Sequence, residues 1–178
     1  MAIFNIYLGE IGTTGLSETE KSGVKSKLEG WFAKITADGD TALATWVKSP
    51  PSAIQDHELL AYFVSGSGSS ILKFMPGSTG GGSNNGLTVF GSSSASEIYV
   101  SNSPSGLAEL TFHELMHNKL QMNDADLHKK DGLAAKVVPL GDVPSTVNLS
   151  DMKTALKNSH KQWTGGWMAA SDPSNGYI

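Results

Sequence analysis

Cysteine is absent from the 178 residues of this chain. Disulfide bonds, thiol catalysis and cysteine-ligated zinc are therefore excluded, and His, Asp and Glu remain as the ordinary side-chain ligands for a metal ion. Long hydrophobic runs are also absent, because no stretch approaches the roughly 18 consecutive apolar residues of a membrane-spanning helix. The chain begins without the basic segment and cleavage pattern of a signal peptide. We expect a soluble protein with no membrane span, and secretion without a leader or delivery by another system stays open.

Basic charge is scarce as well. The chain has 13 Lys and Arg residues against 17 Asp and Glu residues, which gives a formal net charge of -4. Proteins that bind nucleic acid neutralise phosphates with clustered basic side chains, and the sequence has no such cluster. Nucleic acid is therefore not expected as a partner. With 39% apolar residues, a chain of this length can bury its own core as one domain, and its oligomeric state is not indicated.

Hydrophobic periodicity predicts an α+β fold. Ser17 and Glu20 form a capping-box pattern ahead of a long amphipathic N-terminal helix. Strands are predicted at residues 3–8, 41–48, 59–65, 87–90 and 97–101. A further apolar run at residues 71–75 is predicted to pair with 87–90 as an edge hairpin around a glycine-rich loop. We therefore expect a mixed, twisted sheet of about five strands.

The main chemical signal is the sequence His113-Glu114-Leu115-Met116-His117, an HExxH motif. Ser103-Pro104 and the apolar spacing that follows predict a helix over about residues 105–120. Four residues turn a helix by roughly 400°, so His113 and His117 lie about 40° apart on one face and can share a metal ion. Glu114 lies about 100° from His113, where it can act as general base on a water beside the metal. Two histidines that simply pack on a helix are the alternative.

A catalytic zinc ion usually takes three protein ligands and leaves a fourth position for water. No glutamate follows Glu114, so a downstream glutamate ligand is excluded. His128 is the preferred third ligand, because it comes 11 positions after His117 and past a turn. The open alternatives are His160 and the aspartates at 124, 126, 131, 142, 151 and 172. The sequence thus predicts a Zn²⁺ site formed by His113, His117 and His128.

The C-terminal part is predicted to be largely irregular over residues 123–138. Ser150 is expected to cap a final helix that carries Met152, Ala155, Leu156 and Trp163. No repeat or linker requires a second domain. We expect a single domain over residues 1–178, with an upper subdomain at about 1–120 and a small helical lower subdomain at about 121–178.

On this motif and element order, the chain resembles the zincin metallopeptidases. Residues 3–128 are similar to the upper subdomain of the metzincin clan, which has the pattern HExxHxxGxxH or HExxHxxGxxD. His113, Glu114 and His117 match the first half of that pattern. Leu120 stands at the glycine position and Asn123 at the third-ligand position, so ligation by His128 requires a longer turn. The resemblance implies a zincin-like fold.

The resemblance also implies a function and further site residues. It implies a methionine turn beneath the metal, at Met168 or Met152. It also implies a tyrosine, at Tyr177, that stabilises the oxyanion formed from the substrate carbonyl. The expected activity is that of a zinc-dependent metallopeptidase, an endopeptidase whose Glu114 activates water for attack on protein or peptide substrates. The alternatives are a non-catalytic binding protein with a zincin fold and a zinc amidase that acts on cell-wall peptide.

Overall fold

The β-strands of the protein form one large sheet and one small one. In the computed structural model, the described residues are 3–36, 41–48, 53–54, 58–65, 86–89, 95–100, 106–120, 122–138, 140–157 and 163–164. The strands are β1 (Ile3–Ile11), β2 (Thr41–Trp46), β3 (Ala53–Ile54), β4 (Leu59–Val64), β5 (Gly86–Val89), β6 (Ala95–Tyr99) and β7 (Trp163–Thr164). The large sheet has the order β2-β1-β4-β6-β5, and β3 pairs with β7. Together with the helices, these sheets confirm the α+β class.

The four strands β2, β1, β4 and β6 are parallel, and β5 joins the edge antiparallel to β6. Parallel strands are usually covered on both faces, and β4 is accordingly buried at all of its positions. The β3–β7 pair is a second sheet that the sequence pattern did not predict. The expected partner of β5, residues 71–75, lies outside the described residues, and within them β5 pairs with β6.

The helices are α1 (Glu18–Phe32), α2 (Leu107–Leu120), α3 (Asp124–Leu127) and α4 (Thr146–Lys157), with a 3₁₀ turn at Gly132–Ala134. Helix α1 begins with the predicted capping box. The Ser17 hydroxyl accepts a hydrogen bond from the Glu20 amide, and the Glu20 carboxylate accepts one from the Ser17 amide at 2.8 Å. Both bonds satisfy amides that a helix start leaves without intrahelical partners.

The hydrophobic core lies between the sheet and helices α1 and α2. Phe4, Ile6 and Leu8 alternate along β1 and are buried on the face that belongs to this core. The aromatic rings of Phe32 in α1 and Phe112 in α2 are 5.3 Å apart. These contacts fix α2 against both the sheet and α1, and α2 carries the HExxH motif.

Helix α2 is buried around its whole circumference. Every residue from Leu107 to Lys119 is buried, so the helix is a central element and not an amphipathic surface helix. It begins at Leu107, and the predicted start at residues 103–104 lies outside the described residues. The helix contacts strands β5 and β6 and the helices α1 and α4. Polar side chains on α2 therefore need partners inside the protein.

The predicted start and end of the final helix are wrong. Helix α4 begins at Thr146, four residues before Ser150, and ends at Lys157, while Trp163 belongs to β7. The cap is Ser145, whose hydroxyl accepts from the Asn148 amide at 3.1 Å, and the Asn148 side chain accepts from the Ser145 amide at 3.1 Å. This is the capping-box arrangement with Asn in the place of Glu or Gln, which explains why the sequence pattern did not reveal it.

Among the described residues, no helix has the length and apolar character needed to cross a membrane.

A buried ion pair joins α1 to α2. The side chain of Glu109 in α2 is fully buried, and its Oε1 lies 2.6 Å from Nζ of Lys27 in α1. The other carboxylate oxygen, Oε2, accepts no hydrogen bond from the described residues. Lys27 is therefore the main compensation for the charge that Glu109 carries into the interior.

We predict that Lys27→Met lowers the free energy of unfolding by about 2 kcal/mol, because it leaves the Glu109 charge buried without a counter-ion. The loss should stay below that of a fully buried pair, since the Lys27 side chain is 48% exposed. Lys25→Met is the matched control on the same helix, and its ion pair with Glu29 spans 3.7 Å with both side chains partly exposed. Urea denaturation measures both variants. Equal losses in the two would contradict a special role for Lys27.

Candidate metal centre

Helix α2 supplies two imidazoles to one point. His113 and His117 are one turn apart, and their Nε2 atoms are 3.2 Å apart. Both residues are buried, with 5% and 4% of their surfaces exposed. The i,i+4 spacing on the motif helix therefore brings these two rings together as the sequence predicts.

The third imidazole comes from the end of helix α3. The Asn123 side chain caps α3 by accepting from the Asp126 amide at 3.0 Å, and His128 closes the helix by donating its amide to the Asp124 carbonyl. This short helix turns the chain back toward α2. Nε2 of His128 lies 3.3 Å from Nε2 of His113. The ligand atoms of His113, His117 and His128 all lie within 4.8 Å of one another.

Two of the nitrogen separations match those expected around a bound metal ion. Zn–N bonds of roughly 2.0–2.1 Å in a tetrahedral site place neighbouring nitrogens about 3.3–3.4 Å apart. The two Nε2 separations from His113 are 3.2 and 3.3 Å. The three histidines could therefore hold a metal ion.

Main-chain carbonyls fix which nitrogen of each α2 histidine carries the proton. Nδ1 of His113 lies 2.7 Å from the carbonyl oxygen of Leu133, and Nδ1 of His117 lies 2.7 Å from that of Met122. A carbonyl can only accept, so Nδ1 must donate in both rings. In the neutral rings Nε2 then carries a lone pair, which is the form that binds a metal, and such outer hydrogen bonds also orient the ring.

The electrostatic surroundings keep these imidazoles neutral. Burial and, to a lesser extent, the neighbouring His117 lower the pKa of His113 to about 4. Burial also lowers the pKa of His117. At neutral pH both rings are thus unprotonated, and protons do not compete with a metal ion for their Nε2 atoms.

Glu114 is placed beside this cluster by its position next to His113. It is buried, with 5% of its surface exposed. Its main-chain carbonyl accepts a hydrogen bond of 3.2 Å from the hydroxyl of Ser96 in β6. This bond ties the motif segment of α2 to the sheet.

Asn148 of α4 holds the segment that orients His113. Its fully buried side chain accepts from the Leu133 amide at 2.9 Å and donates to the Asp131 carbonyl at 3.1 Å. Gly132 allows this close approach, because its φ is +58° and a Cβ there would lie 2.6 Å from the Asn148 Oδ1. The Leu133 carbonyl is therefore presented to His113 by a rigid turn.

We predict that Asn148→Ala weakens zinc binding about 10-fold or more, because outer hydrogen bonds of metal ligands carry effects of that size. The change removes the acceptor of the Leu133 amide and lets the Leu133 carbonyl move away from His113. Competition with a chromophoric zinc chelator measures the affinity. Ser150→Ala, an exposed change on the same helix, is the control. Equal affinities in the two variants would show that the turn is not held by Asn148.

We also predict that the metal-free protein loses stability as the pH falls. Because the pKa of His113 is about 4 when folded and 6.5 ordinarily, the unfolded chain takes up the proton first. The contribution of neutral His113 is present above about pH 6.5 and is lost progressively toward about pH 4. Urea denaturation at about pH 7.5 and about pH 5 measures the loss. His113→Gln has no titrating ring and should show a smaller difference, and an equal difference would refute the assignment.

The remaining third-ligand candidates lie in different surroundings. The carboxylates of Asp126 and Asp151 pair with Lys129 and Lys130, and Asp131 accepts from the Ser145 hydroxyl. Asp142 accepts from the amide of the residue that follows it. Asp124 is different, because its Oδ1 lies 3.8 Å from Nε2 of His117.

Several residues suggested by the sequence are not part of the cluster or cannot be placed in it. Met152 lies inside α4 and in the hydrophobic core, so its proposed place in a methionine turn is wrong. His160, Met168, Asp172 and Tyr177 lie outside the described residues.

Two kinds of site residue were missed from the sequence. The carbonyls of Met122 and Leu133 have no sequence signal, because every residue carries one. Asn148 had a signal in its S-x-x-N spacing after Ser145, which resembles a capping box. Asp124 and His128 share the same i,i+4 spacing as the two motif histidines, and that spacing could have indicated that both face the site.

The chain was compared with models of protein families, with curated protein sequences and with solved structures, and none of these comparisons found a match. Function is therefore inferred from the residues of the metal centre.

Proposed function

We propose that this protein is a zinc-dependent metallopeptidase with a zincin-like fold, which cleaves peptide bonds within protein or peptide substrates. The observation that carries the proposal is the convergence of three Nε2 atoms beside a buried glutamate. His113, His117 and His128 are the proposed ligands, and Glu114 is the proposed general base.

Zinc is the metal that this donor set favours. Imidazole nitrogen suits zinc, whereas calcium and magnesium prefer oxygen ligands. A zinc ion held by three protein ligands supplies Lewis acidity, which polarises a carbonyl and lowers the pKa of water to about 7. His113 and His117 contribute by remaining neutral and by keeping their Nε2 atoms directed at one point through their Nδ1 hydrogen bonds.

Glu114 supplies the proton transfers. Its carboxylate accepts a proton as the oxygen of water attacks the carbonyl carbon of the substrate, and the C–N bond then breaks as the same proton passes to the leaving nitrogen. The proton balance closes, since Glu114 ends the cycle unprotonated. Metal retention by His113, His117 and His128 does not itself need Glu114, which is not one of the converging groups.

The edge of the sheet offers a place for an extended substrate. Strand β5 (Gly86–Val89) is antiparallel at the edge and contacts α2, and in the described part of the chain no strand pairs with its outer side. An unpaired strand edge can hydrogen-bond an extended peptide as an additional strand. Binding through the substrate backbone favours cleavage within a chain over trimming from its ends.

We predict that Glu114→Gln reduces cleavage of a mixed, unfolded protein substrate by about 10²-fold or more, since general acid–base catalysis contributes 10²–10⁴-fold. Zinc content should stay at about one ion per chain in both proteins, because the ligands are unchanged. Product analysis by mass spectrometry measures cleavage, and elemental analysis measures zinc. Glu18→Gln is the matched control on the exposed first turn of α1, with a side chain that is 94% exposed.

Other results would reject the proposal in distinguishable ways. Zinc bound without cleavage by the wild type would favour the non-catalytic binding protein, and cleavage of cell-wall peptide alone would favour the amidase. Equal cleavage by wild type and Glu114→Gln would remove Glu114 from the mechanism. Failure to bind zinc would reject the metal centre itself.

A further inference from the structure

A fourth possible ligand lies at the mouth of the histidine cluster. Asp124 and His128 are i,i+4 on α3, so their side chains project from the same face of that helix. Oδ1 of Asp124 lies 3.8 Å from Nε2 of His117, while His128 from the same face reaches His113. His113 and His117 of α2 therefore face Asp124 and His128 of α3.

The surroundings of Asp124 differ from those of its neighbour Asp126. The carboxylate of Asp126 pairs with Lys129 at 3.2 Å. Among the described residues, the basic side chain within ion-pair distance of Asp124 is His117, whose Nε2 is one of the three converging ligand atoms. Asp124 thus directs its charge at the histidine cluster.

We propose that Asp124 is the fourth ligand of the resting metal centre and must leave it before a substrate can react. Neighbouring ligand atoms of a tetrahedral zinc site lie about 3.3 Å apart, whereas Oδ1 of Asp124 lies 3.8 Å from Nε2 of His117 and outside the group that the three histidines form. The Asp124 side chain therefore has to swing toward the cluster to become a ligand. Its side chain is 80% exposed and is free to make that movement. The deeply buried His117 cannot move in the same way.

The charge balance of the site favours a fourth ligand that is negatively charged. Three imidazoles would leave both charges of a divalent ion uncompensated beside the buried His113 and His117, and one carboxylate would halve that charge. Sites with four protein ligands are closed, whereas catalytic sites keep one position open for water. In the exchange that opens the site, a water molecule takes the position of the carboxylate oxygen and Asp124 returns to the solvent.

This regulatory role rests on the proposed peptidase function, but the ligand role does not. Asp124→Asn removes the charge with little change of shape. Asp126→Asn is the matched control, because both residues are exposed and both lie in the first turn of α3. The two variants therefore lose the same interaction with the start of the helix.

Three measurements test the proposal on the wild type and both variants. Zinc affinity is measured by competition with a chelator, ligand geometry by the visible absorption of the Co²⁺-loaded proteins, and activity by cleavage of an unfolded protein. We expect Asp124→Asn to weaken zinc binding about 10-fold or more, to change the Co²⁺ spectrum and to raise cleavage. Asp126→Asn should match the wild type in all three.

Each other result has a defined meaning. An unchanged affinity and Co²⁺ spectrum in Asp124→Asn would overturn the ligand assignment. A weaker affinity together with a fall in cleavage per bound zinc would show that Asp124 does not have to leave the metal before a substrate can react. A weaker affinity with no cleavage by any of the three proteins would leave Asp124 as a ligand and reject the proposed peptidase.

Discussion

The hydrogen bond between His113 Nδ1 and the Leu133 carbonyl is the contact on which the rest of the centre depends. It fixes the proton on the outer nitrogen of the central imidazole, whose Nε2 lies within 3.3 Å of both other rings. It also joins α2 to the 3₁₀ turn, and Asn148 joins that turn to α4. The metal centre, the turn and α4 therefore form one hydrogen-bonded unit. A disturbance in α4 can reach the ligands without any contact with them.

The burial of α2 has a cost that its partners offset. A helix surrounded on all sides would ordinarily be apolar, yet α2 carries Glu109, Glu114 and two histidines into the interior. Glu109 is compensated by a lysine of α1, and each histidine donates to a carbonyl. Three imidazole lone pairs directed at one point would repel one another, and a cation removes that repulsion. Binding of a metal ion at the histidine cluster would therefore be coupled to folding.

The sequence predicts the parts of this structure that depend on local spacing. The capping box of Ser17 and Glu20 and the i,i+4 spacing of the histidines follow from patterns within a few residues, whereas the parallel pairing of the core strands does not. The approach of His128 is predicted less directly, because it required the exclusion of other ligands. The predicted start of α4 was wrong because Ser145 and Ser150 can each cap a helix. The structure uses Ser145, and that choice depends on the burial of Asn148 in the tertiary structure. The carbonyls that orient the histidines carry no residue-specific signal at all.

The two ligand pairs have the same spacing but different mechanical support. His113 and His117 lie on a helix of 14 residues that is held by the sheet, α1 and α4. His128 and Asp124 lie at the ends of a four-residue helix that depends on its Asn123 cap. Helices this short have little stability of their own. The α2 pair would therefore define where a metal ion sits, whereas the α3 pair would gain much of its order from binding that ion. A centre built in this way can keep its metal while one weakly held ligand exchanges with water.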